Sequence, residues 1–301
     1  GFAAGLEMAK NGGSGPAVDP KKQDIFDRTE QKLENKVKAN FPPPSHDILL
    51  HGIRRLTDYQ DAGYANKYLE RLEPFQDNDP MLLREVGRHL AIRMSYEDII
   101  RVAQAKARPA RFNRIQGELG TTADDPFHVT EFLKPGVQEV CDLLPPKIAQ
   151  ILLSWGAKSG KLKTLHWGME VRTTTISGFV KLKILAGLRW WRPHSFRWHN
   201  EQTAIKRWLD LVMRAASVNT ELAFEVAELA RLIKGYGSTH QRGSSNYERI
   251  VAELVMPLLE DPKPDGPALI KSGLDAALAG PEGKALSQAL NRKNSSGSVA
   301  A

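Results

Sequence analysis

Polar side chains crowd around two glycines in residues 231–243, which read R-L-I-K-G-Y-G-S-T-H-Q-R-G. Gly235 and Gly237 can adopt the positive φ angles that end a helix or close a tight turn. A turn of this kind brings neighbouring side chains together. Cationic and hydroxyl side chains grouped in this way can contact an anion or an adjoining domain. The residues predicted for this contact are Lys234, Tyr236, His240 and Arg242. The alternative is a helix end whose polar residues face water.

Basic and aromatic residues alternate in residues 188–202, L-R-W-W-R-P-H-S-F-R-W-H-N-E-Q. This pattern allows three interpretations: stacking on nucleic-acid bases, a protein interface rich in Trp and Arg, or core tryptophans covered by arginine stems. Residues 158–207 contain eleven basic and two acidic residues, so a positive field accompanies the pattern. The residues predicted to contact a subunit or partner are Arg189, Trp191, Arg192, Arg197 and Trp198.

A third polar group lies in the first predicted helix. Asp58 and Asp61 are three residues apart, a spacing that places both carboxylates on one helical face where arginines can bridge them. Arg55 and Tyr64 complete this cluster.

Motifs for common active sites and metal sites are missing from the sequence. It contains no G-x-G-x-x-G, no G-x-x-x-x-G-K-[ST], no H-E-x-x-H and no G-x-S-x-G. His194 and His199 are five residues apart, as close as any two histidines of the chain, but no third ligand lies at a matching offset, so no metal is expected. The single cysteine, Cys141, excludes an internal disulfide and a cluster held by cysteines of this chain alone.

The composition is that of an ordinary globular protein. The 301 residues are 41% hydrophobic and 26% charged, with a net charge of +7, and no apolar run is long enough to span a membrane. One cysteine and no leader pattern favour a cytoplasmic location. Because the chain begins at Gly1 rather than Met, we interpret it as a piece of a longer polypeptide.

Helical periodicity dominates the elements that must position these residues. Apolar residues recur at helical spacing from residue 45 to 260, and only residues 127–131 favour an extended segment. The first predicted helix runs from Ser45 to Leu72, and a last core helix is predicted from Ser245. Ser95 and Asn219 are predicted to cap two of the helices between them. We therefore predict a mainly α fold, an irregular multi-helix bundle with little or no β-structure. Residues 1–44 are expected to be the end of a preceding domain and a flexible linker. Residues 261–301 are expected to form a linker, a short helix and a disordered tail.

Five stretches in this order resemble the helical C-terminal region of the beta subunit of indolepyruvate oxidoreductases, which are thiamine-dependent 2-oxoacid:ferredoxin oxidoreductases. They are R-R-L-T-D-Y-Q-D-A-G-Y-A at 54–65, V-T-E-F-L-K-P at 129–135 followed by L-L-P-P, V-R-T-T-T at 171–175, A-G-L-R-W-W-R at 186–192 with the E-Q pair at 201, and I-K-G-Y-G-S-T-H-Q-R-G at 233–243.

The resemblance implies an accessory helical domain of an enzyme that oxidatively decarboxylates arylpyruvates to aryl-acetyl-CoA and passes electrons to ferredoxin. Thiamine diphosphate, iron–sulfur clusters and CoA are then implied for the complete enzyme, with no cofactor and no catalytic residue in this chain. The implied partners are the alpha subunit or neighbouring catalytic domains, and ferredoxin, with neither nucleic acid nor membrane. The alternative left open by the residues is a basic helical module that binds nucleic acid.

Overall fold

Helices form most of the protein, and the mainly α fold class is confirmed. The computed structural model describes residues 20–120, 128–133, 136–158, 168–235, 237–280 and 282–297. The helices before the first strand are α1 Pro20–Asn40, α2 His46–Tyr59, α3 Ala62–Leu72, α4 Pro80–Met94, α5 Ile99–Lys106 and α6 Pro109–Leu119. Those after it are α7 Val137–Leu143, α8 Pro146–Lys158, α9 Ile176–Gly187, α10 Phe196–Ala216, α11 Thr220–Glu228, α12 Gly237–Ile250, α13 Met256–Glu260, α14 Gly266–Ala279 and α15 Lys284–Gly297.

A small antiparallel pair of strands is the β-structure of the described residues. Strand β1, Thr130–Leu133, pairs with β2, Met169–Arg172, and Thr130 lies opposite Arg172. The sequence predicted extended backbone near β1 but not its partner, because four residues are too few to show a clear alternation.

The first predicted helix is two helices in the structure. Asp61 separates them: its backbone is extended, and its side chain accepts a hydrogen bond from the backbone N–H of Tyr64, which caps α3. The prediction that Asp58 and Asp61 share one helical face is therefore wrong. Asp58 lies near the end of α2, whereas Asp61 begins the next helix.

Two segments that the composition marked as flexible contain helices in the described residues. The predicted linker is helical from Pro20 to Asn40, and Leu33 and Val37 of α1 are buried in the main core. The tail predicted to be disordered contains α15, whose Leu286 and Leu290 are also buried there. Four-residue apolar spacing buries one face of each helix, and that burial outweighs the unfavourable polar composition.

The main core lies between α4, α10, α11 and α14, with Trp208 of α10 fully buried. A smaller cluster joins Ala103 of α5 and Ala107, just after that helix, to Leu182 of α9. Within the described part of the chain, no helix combines the length and the apolar character needed to cross a membrane.

The glycine-rich segment turns the chain between α11 and α12. Asn219 caps α11, as predicted, and a 3₁₀ turn, Leu229–Leu232, follows that helix. Gly235 and Gly237 have φ values of 71° and 58°. Helix α12 then starts at Gly237, earlier than the predicted start at residue 245, so His240 and Arg242 are helical rather than part of a loop.

Candidate functional site

A cavity of about 710 Å³ opens beside the packed helices. Its walls are the end of α4, the start of α5, α7, and one face each of α10 and α12. Cavities of roughly 300–1,000 Å³ are typical of small-molecule sites. We therefore treat this cavity as the candidate functional site.

A chain of charged side chains crosses one wall of the cavity. Glu201 of α10 is buried, and its Oε1 lies 2.7 Å from Arg197 Nη2 and 3.1 Å from His240 Nε2. The other end of the Arg197 guanidinium, Nη1, lies 3.9 Å from Oδ2 of Asp142 on α7. Three helices are thus joined through one guanidinium and one imidazole.

The two carboxylates of this chain have pKa values shifted in opposite directions. Burial alone would raise the pKa of Glu201, but His240 and the Arg197 charge outweigh it and hold the pKa below its ordinary value. For Asp142 burial dominates, and its pKa is raised despite Arg197. When the pKa values of two carboxyl groups are shifted apart, one group can act as a proton donor while the other stays ionised.

Arg93 lies at the end of α4 and lines the same cavity. Its side chain packs between aromatic rings, with Cζ 5.4 Å from the Trp208 ring centroid and 5.9 Å from that of Tyr247. Nε and Nη1 of Arg93 are buried and have no hydrogen-bond partner among the described residues. Burial lowers the pKa of this guanidinium, with Tyr247 and Glu201 acting in the opposite direction.

Comparison with known protein families places the walls of the cavity within one family match. Residues 45–253 match a family described as a family of unknown function, DUF6537. The chain belongs to this family. The matched range, hereafter the DUF6537 region, is more than half of the chain and includes every cavity residue named above. No curated protein and no solved structure shows significant similarity to the chain.

The predicted anion-contact residues of the DUF6537 region are only partly brought together. His240 faces the cavity and contacts Glu201. Arg242 is directed elsewhere and pairs with Glu282 at 2.8 Å. Lys234 is not among the cavity-lining residues, and Tyr236 lies outside the described residues. An anion-contact role stays a prediction, for which the structure offers His240 as the cavity residue.

The basic aromatic segment, residues 188–202, forms mostly internal contacts. Arg192 is fully buried: its Nε lies 2.6 Å from Asp98 Oδ2, and its Nη1 donates to the carbonyl of Tyr59. Trp198 is also buried, and Trp191 Nε1 donates to the Leu143 carbonyl. This agrees with the core-packing interpretation, and the buried side chains of Arg192 and Trp198 cannot reach a partner in this conformation.

The remaining residues of that prediction also have internal partners. Arg189 Nη2 donates to the carbonyl of Thr57, and Arg197 belongs to the charged chain of the cavity. Nearby, Asp98 caps α5 by accepting from the Arg101 N–H, although the sequence suggested Ser95 for that role.

The first-helix polar cluster is divided among separate contacts. Asp58 pairs with Arg101 and Arg108 at 3.0 and 2.7 Å, and Arg55 donates to Ser95 Oγ. Tyr64 donates to the Met94 carbonyl, and burial raises its pKa. These bonds tie α2 and α3 to the following helices, so the cluster is structural rather than a single polar site.

The residues that sequence analysis missed are Arg93, Asp142, Glu201 and Tyr247. Each lies in an amphipathic helix that has other polar residues, and a polar side chain in such a helix ordinarily indicates the side that faces solvent. The E-Q pair at residue 201 was noticed only as part of the resemblance. No local signal distinguishes these residues from surface ones.

A second polar cluster joins α4 to α11. One potential metal-ligand atom from each of Glu85, His89 and Glu228 lies within 4.8 Å of the other two, a grouping that could hold a metal ion. However, Arg88 Nη2 lies 2.7 Å from Glu85 and 2.9 Å from Glu228, so a guanidinium already neutralises the carboxylates. The contact with His89, together with the Arg88 charge, lowers the pKa of Glu228 to about 2.

This cluster predicts an acid-sensitive contribution to stability. The folded pKa of Glu228 is below the unfolded value of about 4.5, so its contribution is complete above pH 4.5 and is lost as the pH falls toward 2. We expect Glu228→Gln to lower the free energy of unfolding by about 1–3 kcal/mol at pH 7. Urea unfolding should show this difference shrinking between pH 5 and pH 3.

The matched control is Glu118→Gln, because Glu118 is exposed and forms only an i,i+4 pair with Arg114. It should change stability by less than about 0.5 kcal/mol at either pH. A Glu228→Gln effect that is the same at pH 5 and pH 3 would contradict the role of the ionised carboxylate.

Apolar side chains are exposed in a stripe along α8. Ile148, Ile151, Leu152 and Trp155 follow the i, i+3, i+4, i+7 pattern of one helical face, and Ile151 and Trp155 are 67% and 65% exposed. Helix α9 shows the same feature at Ile176, Val180 and Ile184. Amphipathic faces of this kind ordinarily pack against protein.

Proposed function

We propose that this chain is a helical accessory region of an indolepyruvate-type 2-oxoacid oxidoreductase. In this proposal it packs on the catalytic polypeptide and supports oxidative decarboxylation of arylpyruvates to aryl-acetyl-CoA, with electrons passed to ferredoxin. The five resembling stretches span the DUF6537 region, and this continuity supports the proposal.

The observation on which the proposal depends is the apolar face of α8. A helix exposing two isoleucines, a leucine and a tryptophan on one side has the pattern of a helix whose partner is another protein surface. We propose that the occupant of this face is the catalytic part of the same oxidoreductase, either the alpha subunit or a neighbouring domain. Ferredoxin is a further partner in this proposal.

The cofactors of such an enzyme are assigned to that catalytic part. Thiamine diphosphate requires a site for two phosphates, whereas carboxylates outnumber guanidinium groups on the cavity wall. An iron–sulfur cluster requires several thiolates, and Cys141 is the single cysteine of this sequence. The cavity wall therefore does not suit a diphosphate and the single thiol does not suit a cluster, so in this proposal no reaction step is assigned to the chain.

The nucleic-acid alternative is less well supported by the described contacts. This alternative depends on the arginines and tryptophans at positions 188–202. However, Arg192 and Arg197 form internal ion pairs. Charge reversal at these positions would break those ion pairs, so the face of α8 offers a cleaner test of docking.

The test introduces charge into the apolar face in the complete oxidoreductase. We expect Ile151→Lys combined with Trp155→Lys to weaken assembly with the catalytic part at least tenfold, because both side chains would lose apolar burial. Mass photometry across a dilution series measures the assembly, and ferredoxin reduction measures its consequence.

The control variant is Gln150→Lys, which adds a lysine to the same helix at an exposed polar position. It should leave assembly within about twofold, and circular dichroism should show all variants folded. Unchanged assembly of the double variant would contradict the proposed docking face.

A further inference from the structure

We infer that the cavity of the DUF6537 region is a binding site for a small, singly charged carboxylic acid with an apolar body, and that Arg93 receives the carboxylate. This inference is independent of the proposed docking face, which lies on α8, outside the cavity-lining residues. Its starting point is a buried guanidinium that forms no ion pair within 4.0 Å in the described residues and has two nitrogens without a hydrogen-bond acceptor there.

The environment of Arg93 is unusual for a structural arginine. The residue is 3% exposed, yet no carboxylate of the described residues pairs with it, and Nε and Nη1 have no acceptor there. A buried polar group without a hydrogen bond is costly, and a buried charge more so. Its aromatic neighbours, Trp208 and Tyr247, have ring centroids 5.4 and 5.9 Å from Cζ, and burial lowers the pKa of Arg93 more than Tyr247 and Glu201 raise it.

Further donors on the same cavity also lack acceptors. Arg197 Nε and the Tyr247 hydroxyl are buried, and neither has a hydrogen-bond partner in the described part of the chain. Both residues line the cavity together with Arg93. Three residues on α4, α10 and α12 that carry donors without acceptors therefore line one space, and a group of such donors suits an oxyanion.

The charges of the wall limit the ligand to one negative charge. Asp98 is neutralised by Arg192, Glu201 by Arg197, and Glu248 by Arg207. Glu97 and Glu139 add carboxylates without an arginine or lysine within ion-pair distance in the described residues, and Asp142 shares Arg197 with Glu201. A dianion such as phosphate would meet this excess negative charge, whereas one carboxylate matches the unpaired charge of Arg93.

The rest of the ligand should be apolar. Aliphatic side chains from α5, α7, α9 and the turn before α12 line the other walls: Ile99, Ile100, Val102, Leu143, Leu185 and Ile233. The volume of about 710 Å³ suits a compound with one or two rings. A planar guanidinium at one end and aliphatic walls at the other fit an amphipathic acid better than a sugar or a nucleotide.

The experiment compares an acid with its uncharged amide on the whole chain. By isothermal titration calorimetry at pH 7, 2-naphthoate should bind at least tenfold more tightly than 2-naphthamide, and inorganic phosphate should bind more weakly than 2-naphthoate. The two naphthalene probes have the same ring and nearly the same shape, so the difference isolates the negative charge. Equal affinity for acid and amide, or tighter binding of phosphate, would overturn the inference.

Two variants locate the charge that is responsible. Arg93→Met should reduce 2-naphthoate affinity at least tenfold and leave 2-naphthamide affinity within threefold, whereas Arg214→Met removes an exposed cation of α10 outside the cavity and should change both by less than threefold. Retained affinity of Arg93→Met for the acid would refute the role of Arg93. If this variant does not fold, the uncharged Arg93→Gln replaces it with the same expected loss, and the acid-to-amide comparison on the unaltered chain still decides.

Thermal unfolding adds a readout that a purely structural arginine would not give. Without ligand, Arg93→Met should melt at the same temperature as the unaltered chain or higher, because a buried unpaired charge is removed. The increase in melting temperature caused by 2-naphthoate should disappear in this variant. A lower melting temperature together with a preserved 2-naphthoate shift would show that Arg93 serves packing alone.

Discussion

Replacing Arg192 by methionine should lower the free energy of unfolding by about 3–5 kcal/mol, because the change leaves a buried carboxylate without its cation. Arg192 is fully buried, and its guanidinium binds Asp98, the Tyr59 carbonyl and the Gln60 side chain. It also lies over the Tyr59 ring, with Cζ 4.0 Å from the ring centroid. All of these contacts join the 3₁₀ turn before α10 to α2 and α5.

Urea unfolding of the Arg192→Met chain at pH 7 measures this loss. Adding Asp98→Asn should restore part of the stability, because the double variant no longer contains an unpaired buried charge. Arg214→Met, at an exposed arginine of α10, is the control and should change stability by less than about 0.5 kcal/mol. A loss below about 1 kcal/mol for Arg192→Met would show that the pair contributes little to the fold.

Gly243→Ala should be the second strongly destabilising change, by about 3 kcal/mol. A Cβ atom at Gly243 would lie 2.1 Å from the backbone oxygen of Leu232, far inside contact distance. Because that oxygen belongs to the backbone of the 3₁₀ turn after α11, α12 must move away from the turn, and such overpacking costs about 1–3 kcal/mol or more. Helix α12 also positions His240 and Tyr247, so binding in the cavity should weaken as well.

The control for this prediction should have the opposite sign. Gly117 lies in helix α6, where an added Cβ has no atom within 4 Å. Gly117→Ala should therefore raise the free energy of unfolding by about 0.5–1 kcal/mol through helix propensity. If Gly243→Ala is tolerated as well as Gly117→Ala in denaturant unfolding, the close approach of α12 to Leu232 is not present in solution.

Helical periodicity in the sequence was sufficient to predict the fold class and most core helices. Asn219 as the cap of α11 followed from local chemistry, since its side chain accepts from the N–H groups of the first turn. Local composition was misleading at the ends of the chain. Polar and charged residues surround Leu33 and Val37 of α1, yet both are buried because tertiary packing determines their environment.

The candidate site was less predictable because its contacts join distant residues. Arg192 and Asp98 are 94 residues apart, so the sequence could not show that the arginine has an internal partner. His240 was recognised as a candidate, but its contact with Glu201 depends on the packing of α12 against α10. Nothing in the local sequence marks Arg93 as buried, since an arginine in an amphipathic helix ordinarily lies on the surface.

Ferredoxin reduction with indolepyruvate is the measurement that tests the accessory role most directly. The complete oxidoreductase is compared with an enzyme from which residues 45–260 are deleted, and with this chain alone. We expect the chain alone to give no turnover, and the deletion to weaken assembly and turnover of the catalytic part. Turnover by the isolated chain, or full assembly and activity of the deleted enzyme, would contradict the account.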